Sequence, residues 1–356
     1  MRAVAVPGRW VWGLGGLVVA AALTVPGVRL ITGAGGPWAQ HMQPAPDTVV
    51  RTVTVPEPVT SLNLETYGGV ARVAAGHGSR VQVTETISYD KKEGGPPAVT
   101  QSVSGGRLTL ADPVCNSLDC AVSFAVTVPL GVGVTVATDG APAAVYGTAG
   151  AQVDSDGSPV TAAGIDGPVT ATTEGGSVTV SGARGAQVDS GGGPVTATAI
   201  SGTVTISSEG GSVAVSGAPR AQVDSSGGPV TATRISGPLT AITGGGSLRL
   251  DGLTGQLQAD TGGGPLLGQD ITAASATANT GGGAAQIVFS AAPDTVLVST
   301  DGGPAILTVP GGPYALTATS DGGPQSVGIA IDPAARRSIM VTSGSGALQI
   351  EPPAHR

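Results

Sequence analysis

The chain has 356 residues, among them 59 Gly and 27 Pro, with 11% charged residues, 40% hydrophobic residues and a formal net charge of −8. Gly and Pro at this density are not the usage of a mixed α/β enzyme domain, and a chain so poor in charge and so well supplied with apolar residues is not of the disordered class. The mild negative charge is spread along the sequence with no Lys/Arg-rich run, so nucleic acid is not an expected partner.

Nineteen uncharged residues, WVWGLGGLVVAAALTVPGV, separate Arg9 from Arg29. At about 1.5 Å per residue they just cross a hydrocarbon core of about 30 Å, which predicts a transmembrane signal-anchor helix over 10–31. Arg2 and Arg9 make residues 1–9 a short cytoplasmic segment and leave the rest outside the cytoplasm, with Trp10 and Trp12 suited to the membrane interface. A cleaved signal peptide is the alternative, with small-residue sites near Ala34 and Ala39 and a secreted product. Residues 32–48, with Gly35, Gly36, Pro37, Pro44 and Pro46, read as a Gly/Pro linker. Both readings export the remainder. In an oxidising compartment Cys115 and Cys120 (CNSLDC) are expected to form a disulfide. A zinc site would need two more ligands, and His41, His77 and His355 are scattered without ligand spacing. No metal and no cofactor is expected.

Residues 49–140 contain strand, Gly-Gly, strand patterns (TSLNLETYGGVARVAAG, VSGGRLTLAD) with excursions at DKKEGGPP and CNSLDC. They read as a β-rich cap continuous with the repeats C-terminal to them, with a separate small β-sandwich as the alternative. From 151 the chain repeats itself: AQVDS occurs at 151, 186 and 221, a period of 35. Each period splits in two, because Gly-Gly or Gly-Ser turns precede Pro159, Ser177, Pro194, Ser212, Pro229, Ser247, Pro265, Ala284, Pro304 and Pro324. The unit is therefore a coil of about 18 residues: short strand, turn, short strand, Gly-Gly turn. Period-two alternation points Val160, Val178, Val180, Val195, Ala197, Val213, Val215, Val230, Leu248 and Leu250 inward. So thin a core closes only if successive coils stack. The predicted fold is all-β: a single-stranded-rung β-solenoid, β-helix-like, over 141–350, preceded by one N-terminal transmembrane helix and followed by a tail at 351–356. Gly is expected at the corners for its access to positive φ.

The run VTVPLGVGVTVATDG (126–140), followed by serial x-V-x-[VA]-x-x-x-G-G coils, resembles the bacterial putative-adhesin family of β-strand-repeat proteins, a domain-of-unknown-function family. The resemblance covers roughly residues 50–350. It implies an exported, often membrane-anchored β-solenoid of bacterial envelopes and carries over no site residues.

Two rows of side chains are candidates for function. Thr161, Thr179, Thr196, Thr198, Thr231 and Thr233, with Ser181 and Ser216, point outward and would form a flat hydroxyl strip that Arg249 and Asp251 interrupt; polysaccharide is one ligand for such a strip, and Thr as an ordinary strand residue is the plainer account. Asp154, Asp189, Asp224 and Asp260, with Asn279, recur before the Gly-Gly turn. They fall on alternate coils about 10 Å apart, too far to share a metal or act as a carboxylate pair, and are expected to cap turns instead. Asp154 with Asp156 is the closer pair. No G-x-S-x-G elbow and no Gly-Lys-Ser/Thr end to a glycine run occurs, so no catalysis is expected. The function expected is a non-enzymatic surface protein binding envelope polysaccharide or a surface protein through its lateral faces. Alternatives are an accessory of envelope-stress sensing and a β-solenoid polysaccharide-active enzyme.

Overall fold

Alternation becomes burial strand after strand: in Val195–Thr198, Val195 and Ala197 are buried while Thr196 and Thr198 are partly exposed, and all ten residues expected inward are buried. The computed structural model describes residues 46–92, 94–112 and 120–354. Residues 1–9, the expected helix at 10–31 and most of the expected linker lie outside them; among the described residues no helix is long and apolar enough to cross a membrane. The described strands are all β and form two long sheets, sheet 1 of sixteen strands and sheet 2 of fifteen. Each coil gives one strand to each sheet. Gly185–Ser190 lies in sheet 2, Val195–Thr198 in sheet 1, Thr203–Ser208 in sheet 2 again, and every pairing among these coils is parallel.

The 35-residue period has a packing cause. Across sheet 2 the inward partners run Ala151, Val169, Ala186, Val204, Ala221, Leu239, small against large on successive coils. Sheet 1 alternates likewise through Ala162, Val180, Ala197, Val215, Ala232 and Leu250. Alternation of large and small side chains along each sheet lets facing layers interdigitate. Each fully buried Val or Ile contributes roughly 1.5–3 kcal/mol.

The corners carry two different uses of glycine. At the corner leading from sheet 1 to sheet 2, Gly147, Gly164, Gly182, Gly217 and Gly252 have positive φ, and Ala199, Arg234 and Asp270 hold the same left-handed conformation on intervening coils. At the Gly-Gly corner the expectation of positive φ fails for most coils. There, Gly193, Gly211, Gly228 and Gly246 are needed because the coil beneath is too close: a Cβ would stand 2.0–2.1 Å from the carbonyl oxygen of the preceding corner's glycine. The residue just before each of these has open space beside it, as at Gly192, Gly210, Gly227 and Gly245.

A buried hydroxyl closes each Gly-Gly corner. Ser190, Ser208, Ser225, Thr243, Thr261, Thr280 and Thr300 each donate to the carbonyl of the glycine three residues on, at 2.5–3.4 Å. They stack inward in register, Ser190 beside Ser208 beside Ser225 beside Thr243. Ser225 also accepts from the Gly228 N–H at 3.1 Å. Ser225→Ala should therefore cost about 1–3 kcal/mol, since it strands buried polar groups, whereas Asp224→Ala on the exposed side should cost under about 0.5 kcal/mol. Urea unfolding of the two variants measures the difference.

The two ends depart from regular coiling. Seven strands precede it: β1 Asp47–Thr54, β2 Ser61–Tyr67, β3 Ala71–Gly76, β4 Gln82–Tyr89, β5 Thr100–Ser104, β6 Arg107–Ala111 and β7 Ala121–Pro129. They belong to the same two sheets as the coils, β3 pairing with Ala143–Tyr146 and β2 with Gly133–Asp139. Antiparallel pairs occur here, β1 with β4, β4 with β7 and β5 with β6. Strand β1 begins two residues inside the stretch expected as linker.

At the C-terminal end the coils are not serial, as the repeat had suggested. Thr295–Thr300 pairs with Ser338–Ser343, which in turn pairs with Ala315–Ser320; Ala305–Thr308, Leu348–Glu351 and Gln325–Val327 follow the same order. The last coil in sequence thus inserts beneath the one before it. Its inward residues Ile339, Val341, Leu348 and Ile350 are buried, whereas the displaced coil carries Gln325 in the register of Leu348. The more apolar coil takes the place covered on both sides, as the cost of burying an unpaired amide requires.

Candidate binding faces

The sheet 1 strands that alternate inward Val and Ala leave their even positions on the outer face, and the register gathers the threonines into two adjoining columns. Thr161, Thr179 and Thr196 are direct neighbours, followed by Ala214 and then Thr231. Beside them run Ala163, Ser181, Thr198, Ser216 and Thr233. All six expected Thr lie on one face, partly or fully exposed. Arg249 and Asp251 follow Thr231 and Thr233 in register and end the strip.

The outer face of sheet 2 is more regular, and its pattern was not anticipated from the sequence. One column runs Thr135, Gln152, Thr170, Gln187, Thr205, Gln222, Thr240, Gln258, Thr277, with Gln on alternate coils. Two residues further along the same strands stand Asp154, Asp189, Asp224 and Asp260. The signal was present as AQVDS, in which Gln and Asp share one face.

Turn capping, expected of these carboxylates, holds only toward the C-terminal side. Asp260 accepts from the Gly262 N–H at 3.0 Å, and Asn279 from the Gly281 N–H at 3.3 Å. Asp154, Asp189 and Asp224 point outward and cap nothing; the two caps form where the second residue on, Gly262 or Gly281, takes positive φ. Asp154 and Asp156 lie close to Glu174, whose carboxyl is held above its usual range by a hydrogen bond with Asp156 and by the neighbouring negative charges. No group of three or more His, Cys, Asp or Glu able to hold a metal occurs among the described residues.

Among the capping strands, the carboxylate of Asp112 is buried and structural. It accepts from the Tyr67 N–H at 3.0 Å and from the Thr66 hydroxyl at 3.0 Å, tying the end of β6 to β2. Desolvation raises its pKa above the ordinary Asp value against the pull of these donors, and desolvation likewise raises that of Glu85, which Arg51 faces across the β1–β4 pair. A carboxyl with a raised folded-state pKa contributes stability that is full below its unfolded pKa and is lost as pH rises through the folded one. Melting temperature measured against pH should show this component, and Asp112→Asn should remove its share; an Asp112 contribution that instead grew with pH would contradict the assignment.

Elsewhere, an apolar cleft of about 450 Å³ opens on sheet 2 near the C-terminal end, lined by Leu297, Leu316, Ile331 and Met340 among others. Cys115 lies outside the described residues; Cys120, just before β7, is not a free cysteine.

The described chain is thus an all-β protein of two long, mostly parallel sheets, solenoid-like in its coiling. No protein-family model and no curated protein matches it. Among solved structures it is similar to a putative cell adhesion protein from Clostridium sporogenes ATCC 15579, with 12% identity over 86% of this chain and 99% of that chain and a TM-score of 0.22, a likeness too slight to bear on what this chain does.

Proposed function

We propose that this chain is a non-enzymatic, membrane-anchored β-solenoid of the cell surface, an adhesin-like scaffold that holds envelope polymer or a surface protein against its lateral faces. In this reading residues 10–31 are the anchor, residues 1–9 remain in the cytoplasm, the coils stand outside and the Cys115–Cys120 bridge closes a loop of the N-terminal cap. The observation that carries the reading is the gathering of Thr161, Thr179, Thr196 and Thr231 into one column, beside Thr198 and Thr233, on a face that extends over successive coils. Rigid, repeated, partly exposed hydroxyls suit an extended ligand that makes many weak contacts. The test is retention of the full-length protein by isolated cell envelopes, compared with Thr179→Lys/Thr196→Lys/Thr231→Lys. Loss of retention is expected; retention equal to that of the parent removes sheet 1 as the binding face, and release of sugar fragments from the envelopes overturns the non-enzymatic assignment.

A further inference from the structure

The outer face of sheet 2 repeats with a different period from its own strands. Strands lie about 4.8 Å apart, so the Gln–Asp pairs Gln152/Asp154, Gln187/Asp189, Gln222/Asp224 and Gln258/Asp260, one on every second coil, recur at about 9.6 Å along the solenoid axis. The register fixes the alternation, with Thr170, Thr205 and Thr240 between the glutamines. The four Gln are exposed, as are Asp154, Asp189 and Asp224. Neither Asp189 nor Asp224 has a side-chain hydrogen bond or ion pair with another described residue, and the described ion pairs, Lys91 with Asp47 and Arg337 with Asp294, lie elsewhere. The face therefore presents unneutralised carboxylates at a fixed interval, each with an amide beside it.

We infer that this face binds a β-1,4-linked glucosamine polymer carrying free amines, laid along the solenoid axis. The match is of repeat and of charge. In an extended β-1,4-linked chain each sugar is turned half a revolution from the last, so amines on the same side recur once per disaccharide, a length close to two strand spacings. One amine then meets one Asp on every second coil, while the Gln amide and the intervening Thr hydroxyls have donors and acceptors for the sugar hydroxyls. An extended peptide strand repeats its side chains at about 6.8 Å on one face and runs out of step with the carboxylates after a single pair. The inference uses sheet 2 alone and stands independently of the threonine strip on sheet 1.

The experiment is calorimetric titration of the full-length protein with a glucosamine hexamer, its fully N-acetylated counterpart, the glucosamine dimer and a lysine hexapeptide. The glucosamine hexamer is expected to bind, with affinity falling about tenfold in Asp189→Asn/Asp224→Asn, as the loss of two exposed charge pairs implies, and falling as steeply in the dimer. Gln187→Ala/Gln222→Ala should weaken binding several-fold. The sheet 1 lysine variant should bind the hexamer as the parent does, which separates this test from that of the threonine strip. Equal binding of the N-acetylated hexamer or of the lysine peptide, or unchanged affinity in the Asp variant with an unchanged circular dichroism spectrum, overturns the inference.

Discussion

Gly211→Ala is expected to destabilise the protein by at least about 3 kcal/mol, while Gly210→Ala, one residue earlier, is expected to be neutral or to stabilise it by about 0.4–1 kcal/mol. The two glycines look alike in sequence and occupy one turn. At Gly211 a Cβ would stand 2.0 Å from the carbonyl oxygen of Gly193 and 2.6 Å from its carbon, atoms of the coil beneath that are themselves fixed by the next corner down. Relief would require lifting one coil from another and lengthening the ladder bonds on both sheets at once. At Gly210 nothing lies within 4 Å and φ is not in the left-handed region, so alanine fits and reduces the freedom of the unfolded chain. Equilibrium unfolding of the two variants in urea decides it; similar losses at both positions would mean that the corner is constrained by backbone conformation rather than by stacking.

The second large effect concerns length. Excision of residues 186–220 should leave a folded, shorter protein, because it removes one strand–turn–strand–turn pair of coils and joins Gly185 to Ala221 with the Ala, Val and Leu interleaving intact. Excision of 186–219 or 186–221 should abolish native packing. One residue of slip sends the inward set of the joined strand to the solvent face and brings its Gln and Asp inward, and a coil so reversed has no neighbour that matches it. Nearest-neighbour stability predicts a modest loss for the 35-residue excision. Circular dichroism and cooperative melting of the three proteins read the result directly.

The alternation of Val and Thr in PVTATAISG and the spacing of Gly-Gly turns sufficed to assign strands, their buried faces and the stacking, since both express local chemistry repeated many times. The six outward Thr fell on one face for the same reason. The corner hydroxyls were equally periodic in sequence, Ser190, Ser208, Ser225, Thr243 and Thr261, yet a Ser or Thr beside a Gly-rich turn reads as surface. Only the continuation of strand alternation one step into the corner places them inside. Asp154, Asp189 and Asp224 were misassigned as caps, whereas the caps expected at Asp260 and Asn279 form. The role of the stacked glycines was hidden because close approach to another coil leaves no local trace, unlike a demand for positive φ. Coil order at the C-terminal end was hidden too, its single local sign being Gln325 at a position where other coils carry Val, Ala or Leu.

That inverted order bears on how the molecule is made. During translation residues 315–327 leave the ribosome before residues 338–351, and the only rung then exposed to receive them is the one formed by 295–308. The growing chain must either leave that rung vacant or seat the earlier segment there and later surrender the berth. The native order is thus reached only once residues 338–351 have been made, and a chain that ends before residue 338 would lack the rung that lies between 295–308 and 315–327.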